Sequence, residues 1–394
     1  MSKQTKITAF FKAKSVETNE TITKSEDVIV VSEKRMFTDD DFVEETSKKQ
    51  KSNSVKKKCP FYKKIPDTSF AVDAFSYGQI DGVKYYFLTH FHSDHYNGLT
   101  KNFNQPIVCS PITGRLIVSQ LGVKQSLITV LKLHEPRMID GVEVVFMDAN
   151  HCPGAVIILF TLPSSKRILH TGDFRANAEM ETISFLNKRP INEIYLDTTY
   201  CDPSYSFPTQ EETISFIVSI CEDFIKKEPK TLIVCGTYSV GKEKVFTAIS
   251  RLLNLNVWVS PYKRQILNCY QDKELNTLLV NSEQNAQIHV LSMDKINFKS
   301  LKDYLQNRDS KFKRLLAFKP TGWEESGEGI SSVKPKTSGR VTIYGVPYSE
   351  HSSFNELKRF VRFFKPAKVI PTVNVGNSNK RKNMQNLINS WIKP

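Results

Sequence analysis

The sequence predicts an α/β fold preceded by a disordered N-terminal tail, on three observations. From residue 59 onward, short apolar runs rich in β-branched and aromatic residues alternate with segments of helical period. Residues 1–58 contain no glycine, only four aromatic residues (Phe10, Phe11, Phe37, Phe42), and 13 Lys/Arg against 10 Asp/Glu. Such a segment cannot bury enough apolar surface to offset its ordering entropy. The 394 residues, 40% of them hydrophobic, suffice for two or three domains with sizeable cores.

In chain order, the strand candidates are Tyr85–Thr89, Val142–Met147, Val156–Leu162, Arg167–His170, Ile194–Asp197, Leu232–Cys235 and Val341–Tyr344. The helix candidates are Gln210–Lys227, Glu243–Leu253, Leu301–Gln306 and Phe354–Phe364, the last opened by the capping-box pair Ser353 and Glu356. The Lys/Ser/Gly-rich stretch Glu324–Gly339 reads as an exposed loop.

Composition excludes several classes. No stretch approaches the roughly 18 uninterrupted apolar residues of a membrane span, and the N-terminus lacks the apolar core of a secretory signal. The seven cysteines are odd in number, scattered and without a CxxC, which excludes a zinc finger and argues against a disulfide framework. The net charge is +14, and residues 59–394 carry 42 basic against 31 acidic residues, a net +11 on the globular part. That excess fits a polyanionic partner such as nucleic acid.

The most informative segment is Thr89-His90-Phe91-His92-Ser93-Asp94-His95, where a strand runs into a loop holding three histidines and an aspartate. Imidazole nitrogen suits Zn²⁺, and a carboxylate can bridge or orient a second ion. In extended chain His90 and His92 face one side, and Asp94 and His95 then fall at the turn. Three rings this close would repel one another if protonated, so a metal is the simplest reason for the cluster. Further ligand types sit at strand ends: His151 between two strands, Asp173 and Asp197 after strands, and His351 before the capped helix. Five of the chain's eight histidines are thus ligand candidates, with His170 close by.

This pattern resembles the metallo-β-lactamase superfamily, and Asp73 in Phe70-Ala71-Val72-Asp73-Ala74-Phe75 resembles its first motif, an aspartate that holds the histidine loop. Asp197, Ser349-Glu350-His351-Ser352-Ser353 and Ile370-Pro371-Thr372-Val373-Asn374-Val375-Gly376 resemble motifs A, B and C of the β-CASP nucleases. Val373 stands where RNA-processing members usually carry histidine, the pattern of DNA-acting members. Cys59–Pro66, Asp148–Ala155, Cys235–Lys244 and Pro320–Trp323 are similar to the DNA cross-link repair branch, a resemblance that covers 59–394 almost end to end.

The resemblance implies an αββα metallo-β-lactamase sandwich with an inserted α/β β-CASP domain. Its expected divisions are a tail over 1–58, the first part of the sandwich over 59–200, the insertion over 201–322 and the rest of the sandwich over 323–394. It implies a first metal held by His90, His92, His151 and Asp173, and a second by Asp94, His95 and His351 with Asp173 bridging. Asp94, His351, Asp73 and Asp197 are the expected catalytic set. The cofactor is one or two divalent ions, Zn²⁺ first, with Mg²⁺ or Mn²⁺ as alternatives. The activity implied is 5′→3′ exonuclease action on 5′-phosphorylated DNA in interstrand cross-link repair. The alternatives are an RNA-processing β-CASP nuclease and a non-catalytic protein docked on the replication clamp.

Gly236, Gly241 and Lys242 nearly spell a P-loop, but Glu243 stands where Ser or Thr is needed, so ATP hydrolysis is disfavoured. Ser239, Gly241 and Lys242 at this helix start could still hold a DNA phosphate, and a structural glycine turn is the competing reading. Lys263, Arg264, Lys311, Lys313 and Arg314 are candidates to line the DNA path, and Trp323 to stack on a base.

In the tail, Gln4, Ile7, Phe10 and Phe11 fit the peptide that binds the sliding clamp PCNA. The three apolar residues, at i, i+3 and i+4, form one face of a single turn. Val28-Ile29-Val30-Val31, flanked by acidic residues, resembles a SUMO-interacting strand, and Lys48-Lys49-Gln50-Lys51 with Lys56-Lys57-Lys58 reads as a nuclear-localisation cluster.

Overall fold

Two sheets face one another across one apolar core, and a third sheet builds its own. The computed structural model describes residues 58–308, 310–322 and 329–392. The clamp-binding, SUMO-type and most nuclear-localisation residues of the tail, and Trp323, lie outside the described residues.

The first sheet runs in sequence order through Lys64–Ile65, Phe70–Val72, Tyr85–Leu88, Ile107–Cys109 and Ile128–Val130. Its first pair is antiparallel and the rest are parallel. The second sheet is ordered Lys368–Pro371, Glu193–Leu196, Arg167–His170, Val156–Thr161, Val142–Asp148 and Arg137–Ile139. Phe70, Val72, Phe87 and Val108 of the first pack with Val144, Phe146, Ile158, Phe160 and Ile168 of the second. Ile157 and Leu159, which alternate with those core residues, are buried too. Burial on both faces is what a sheet covered on its outer side by helices requires. Helix Ser378–Ile392 packs beside Lys368–Pro371, and Phe360 of helix Phe354–Phe364 meets Phe174 at 5.1 Å between ring centres.

The third sheet is ordered Val257–Val259, Ile288–Ser292, Thr231–Thr237, Arg314–Thr321, Val341–Pro347 and Lys336–Ser338, parallel except for its last pair. Leu232, Val234, Leu301, Leu305, Leu315 and Val341 share its core. Helices Gln210–Lys227, Glu243–Leu253 and Phe354–Phe364 begin and end where the sequence places them. Thr209 with Glu212, and Ser353 with Glu356, close full capping boxes at the first and last. The helix expected at Leu301–Gln306 starts earlier, at Phe298, because the Asn297 side chain caps Ser300 N.

Two expectations are corrected. The division at residue 322 falls inside the third sheet, since Val341–Pro347 pairs in parallel with Arg314–Thr321 and does not return to the facing sheets. The stretch expected as a loop to Gly339 contains a strand, Lys336–Ser338, which doubles back antiparallel onto Val341–Ile343.

Candidate metal centre

The site forms where loops leave the facing sheets. Strand Tyr85–Leu88 ends at Thr89, and the chain then turns through Ser93–Tyr96, with His92 extended just before that turn. Asp173 follows Arg167–His170, and His151 lies between Val142–Asp148 and Val156–Thr161. His351 lies between the last long strand of the third sheet and the capped helix. Ser352 N donates to Phe174 O at 3.0 Å and Arg175 Nη1 to Ser349 O at 2.9 Å, so the loops carrying Asp173 and His351 are laced together.

Asp173 is the hub. Its Oδ2 lies 3.2 Å from His95 Nε2, 3.7 Å from His90 Nε2, and 3.9 Å from both His151 Nε2 and His351 Nε2. Among the described residues, three groups could each hold an ion: His90, His92, His151 and Asp173; Asp94, His95 and Asp173; and Asp173, Asp197 and His351. The first has the composition the sequence predicts. Asp94 and His95 meet Asp173 as expected, whereas His351 reaches Asp173 alongside Asp197.

The hydrogen bonds of each ring decide whether these residues fit a metal. His90 Nδ1 lies 2.9 Å from Thr89 Oγ1, whose own proton goes to Asp73 Oδ2, so Nδ1 donates and Nε2 keeps a lone pair. That Nε2 is buried and has no hydrogen-bond partner among the described residues. His92 Nε2 donates to Val240 O at 3.0 Å, and His151 Nδ1 donates to Glu350 O at 2.8 Å. Their other nitrogens, His92 Nδ1 and His151 Nε2, then face each other at 3.1 Å, lone pair against lone pair in the neutral rings. Two such nitrogens can share one cation, since zinc–nitrogen bonds are about 2.0–2.1 Å. Burial, then the neighbouring rings, hold His90 and His151 well below the ordinary histidine range, in the neutral form that ligates.

The other two rings show the same demand for positive charge. Burial alone would lower His95, but Asp173, Asp94 and Asp73 raise it well above its ordinary value. Burial likewise opposes charge on His351, yet Asp197 lifts it to about 9. The carboxylates of Asp173, Asp94 and Asp73 around His95, and of Asp197 beside His351, thus favour positive charge at both places. The donor set therefore fits divalent metal.

Two expected catalytic aspartates sit behind the histidines. Asp73 accepts from His95 Nδ1 at 2.7 Å, from Thr89 N at 2.9 Å and from Thr89 Oγ1 at 2.8 Å. Burial would raise its carboxyl, but the His95 ring holds it below its ordinary value. Asp197 accepts from His351 Nδ1 at 2.8 Å and from Thr199 N and Oγ1. Both orient rings, as the partners of ligand histidines commonly do. Asp94 has a solvent-exposed carboxylate, 3.4 Å from His95 Nε2.

The phosphate cradle expected at Ser239, Gly241 and Lys242 is corrected. Gly241 N donates to both Glu243 oxygens and Lys242 N to Glu350 Oε1, so carboxylates already take the amides an anion would need. Lys242 is buried, with Nζ bonded to Tyr348 O, and the Ser239 carbonyl accepts from Lys263 Nζ. Gly236 is glycine for packing, since a Cβ there would lie 2.8 Å from Ile296 Cγ1. Lys263 is buried in an ion pair with Glu243 and cannot line a DNA path. The sequence reading named Thr89, Glu243 and Glu350 without these roles, because the partners that reveal them lie 16, 20 and 108 positions away.

Comparison with known proteins places the chain in a family. Residues 273–377 match the family described as DNA repair metallo-beta-lactamase. The chain is 51% identical over 339 residues to the DNA cross-link repair 1A protein of Gallus gallus, covering 86% of this chain and 35% of that protein. It is 45% identical over 346 residues to the DNA cross-link repair protein SNM1 of Arabidopsis thaliana, covering 87% of this chain and 72% of that protein. It is 33% identical over 310 residues to the 5′ exonuclease Apollo of Gallus gallus, covering 78% and 63%. The chain thus spans about a third of the length of its vertebrate cross-link repair 1A relatives. Facing sheets with a histidine–aspartate centre at their loop ends define the metallo-β-lactamase class. Within that class, the chain belongs to the DNA cross-link repair family.

Proposed function

We propose that this protein is a metal-dependent 5′→3′ exonuclease that degrades 5′-phosphorylated DNA in interstrand cross-link repair. The observation that carries the reading is the convergence of unprotonated ring nitrogens on Asp173, in a chain of a DNA-repair family. The name of the Apollo relative supports the 5′ polarity.

His90, His92, His151 and Asp173 would hold one ion, and Asp94 and His95 with Asp173 a second, zinc being the natural choice for so nitrogen-rich a set. Such an ion supplies a more acidic water and positive charge for a phosphate oxygen. The residues do the rest. Asp73 fixes His95 through Nδ1. Asp94, open to solvent beside that ring, would orient the attacking water or take its proton. His351 has two roles open to it, nitrogen ligand or donor. Its Nδ1 bond to Asp197 leaves Nε2 facing the site for either role, a proton there stabilising the charge that develops on the phosphate.

Val373, bonded through its backbone to Thr198, offers no imidazole to the site, which favours DNA over the RNA-processing reading. We further propose docking on PCNA through residues 4–11, a SUMO contact through 28–31, and residence in the nucleus. The test is metal analysis of purified protein together with digestion of 5′-phosphorylated DNA, its 5′-hydroxyl twin and the matching RNA. Fast loss of the 5′-phosphorylated DNA alone is expected. Equal rates on both ends, or preference for RNA, overturn the reading.

A further inference from the structure

Both histidines whose lone pairs meet at 3.1 Å take their tautomer from a backbone carbonyl, and neither carbonyl belongs to the facing sheets. His92 Nε2 donates to Val240 O, in the turn after strand Thr231–Thr237 of the third sheet. His151 Nδ1 donates to Glu350 O, just after strand Val341–Pro347 of the same sheet. One side chain joins the two segments: Glu350 Oε1 accepts from Lys242 N at 2.8 Å. Its Oε2 lies 4.0 Å from Lys242 Nζ.

The turn is braced from the other side by Glu243. It accepts from Gly241 N at 3.0 and 2.9 Å, from Lys263 Nζ at 2.8 Å and from Tyr270 OH at 2.8 Å. Lys263 Nζ also donates to Tyr238 O at 2.9 Å and to Ser239 O at 2.8 Å. All four charged residues, Lys242, Glu243, Lys263 and Glu350, are buried. A buried ion pair is a weak device for stability, because desolvation offsets most of its attraction. What these pairs do geometrically is hold the turn at 238–242 between two carboxylates. The space is tight: Gly241 has φ +111°, and a Cβ there would lie 2.8 Å from Glu350 Oε2.

We propose that Glu350 is a positioning residue for the metal centre. Its carboxylate locks the turn whose Val240 carbonyl sets His92, while its own carbonyl sets His151, so one residue aims both lone pairs at one ion. The inference rests on the metal-binding reading above, and it makes the third sheet a structural part of the centre.

The test is zinc affinity of the full chain, measured by competition with a chelating dye, for wild type, Glu350→Ala, Glu350→Gln and Gly241→Ala. Loss of the partners that orient ligand histidines costs 10–100-fold in metal affinity. Glu350→Ala is expected to lose roughly that much, and Glu350→Gln, which keeps an oxygen facing Lys242 N, no more than a few-fold. Gly241→Ala crowds Glu350 Oε2 and the turn without removing a charge and is expected to weaken zinc as well. Wild-type affinity in folded Glu350→Ala overturns the proposal, as does an equal loss in the Gln variant. Should Glu350→Ala fail to fold, Gly241→Ala decides, and unchanged affinity there overturns it. A wild-type chain that binds no zinc, magnesium or manganese refutes the metal-binding reading itself, an outcome distinct from the others.

Discussion

Replacing Asp94 with alanine should separate chemistry from folding. The side chain is open to solvent and lies 3.4 Å from His95 Nε2. It lies in the first turn of the short helix Ser93–Tyr96, where an acidic residue stabilises by roughly 0.3–1 kcal/mol. The stability cost of Asp94→Ala should therefore stay within about 1 kcal/mol. The rate cost should be far larger. A positioned proton acceptor contributes roughly 10²–10⁴-fold, equivalent to about 3–5 kcal/mol of barrier. Asp73→Ala should behave in the opposite way. That carboxylate is buried and satisfies three donors, so its removal should destabilise by about 3–5 kcal/mol, as breaking a buried charged network does. The assay is urea unfolding beside single-turnover digestion of a 5′-phosphorylated oligonucleotide, with metal content measured in each variant. A folded, metal-loaded Asp94→Ala that turns over within tenfold of wild type would refute the assignment.

Three further outcomes are expected. Digestion rate below saturation should fall steeply with salt, because each phosphate contact of the +11 globular region releases counterions; a flat profile would exclude a phosphate-dominated interface. Phe10→Ala with Phe11→Ala should weaken binding of a tail peptide to the clamp by at least about a hundredfold, read by calorimetry, since each buried ring is worth roughly 1.5–3 kcal/mol. Burial lowers His289 from 6.5 to about 4, so between those values the unfolded chain binds a proton that the folded chain refuses. Stability held above pH 6.5 is then lost as pH falls toward 4, by up to about 3 kcal/mol, and His289→Gln should lose correspondingly less over the same range in urea titrations.

The candidate ligand cluster was legible because its signal is dense in one dimension. Three histidines and an aspartate within six positions have few structural uses, and the strand-end placement of His151, Asp173 and His351 follows from local patterning. The helix Phe354–Phe364 was legible for the same reason: its caps, Ser353 and Glu356, sit three residues apart. What failed was whatever depends on a partner far along the chain. Gly241 and Lys242 read as an anion site because their amides open a helix, and nothing local says that Glu350, more than a hundred positions away, folds back to occupy one. Lys263 read as a residue of the DNA path because its buried partner, Glu243, lies twenty positions off. Strands of three residues, such as Ile107–Cys109 and Phe70–Val72, are too short to show a period.

The same long-range contacts bear on how the centre is assembled. Asp73 and the HxHxDH loop come from the first sheet, His151 and Asp173 from the second, and His351 from the segment leaving the third. Ligands from three sheets can converge only if the loops are tied to one another, and the ties are short: Ser352 to Phe174, Arg175 to Ser349, His92 to Val240. Each runs between a ligand, or a neighbour of one, and a segment of a different sheet. The third sheet therefore cannot be a detachable substrate clamp on a finished metal site. Cutting it away would remove the acceptors that His92 and His151 use to present their lone pairs, and His351 would lose the strand that delivers it. The turn at 238–242 gives its Val240 carbonyl to His92 and its amides to Glu243 and Glu350, so a change at that turn is expected to be felt at the histidines.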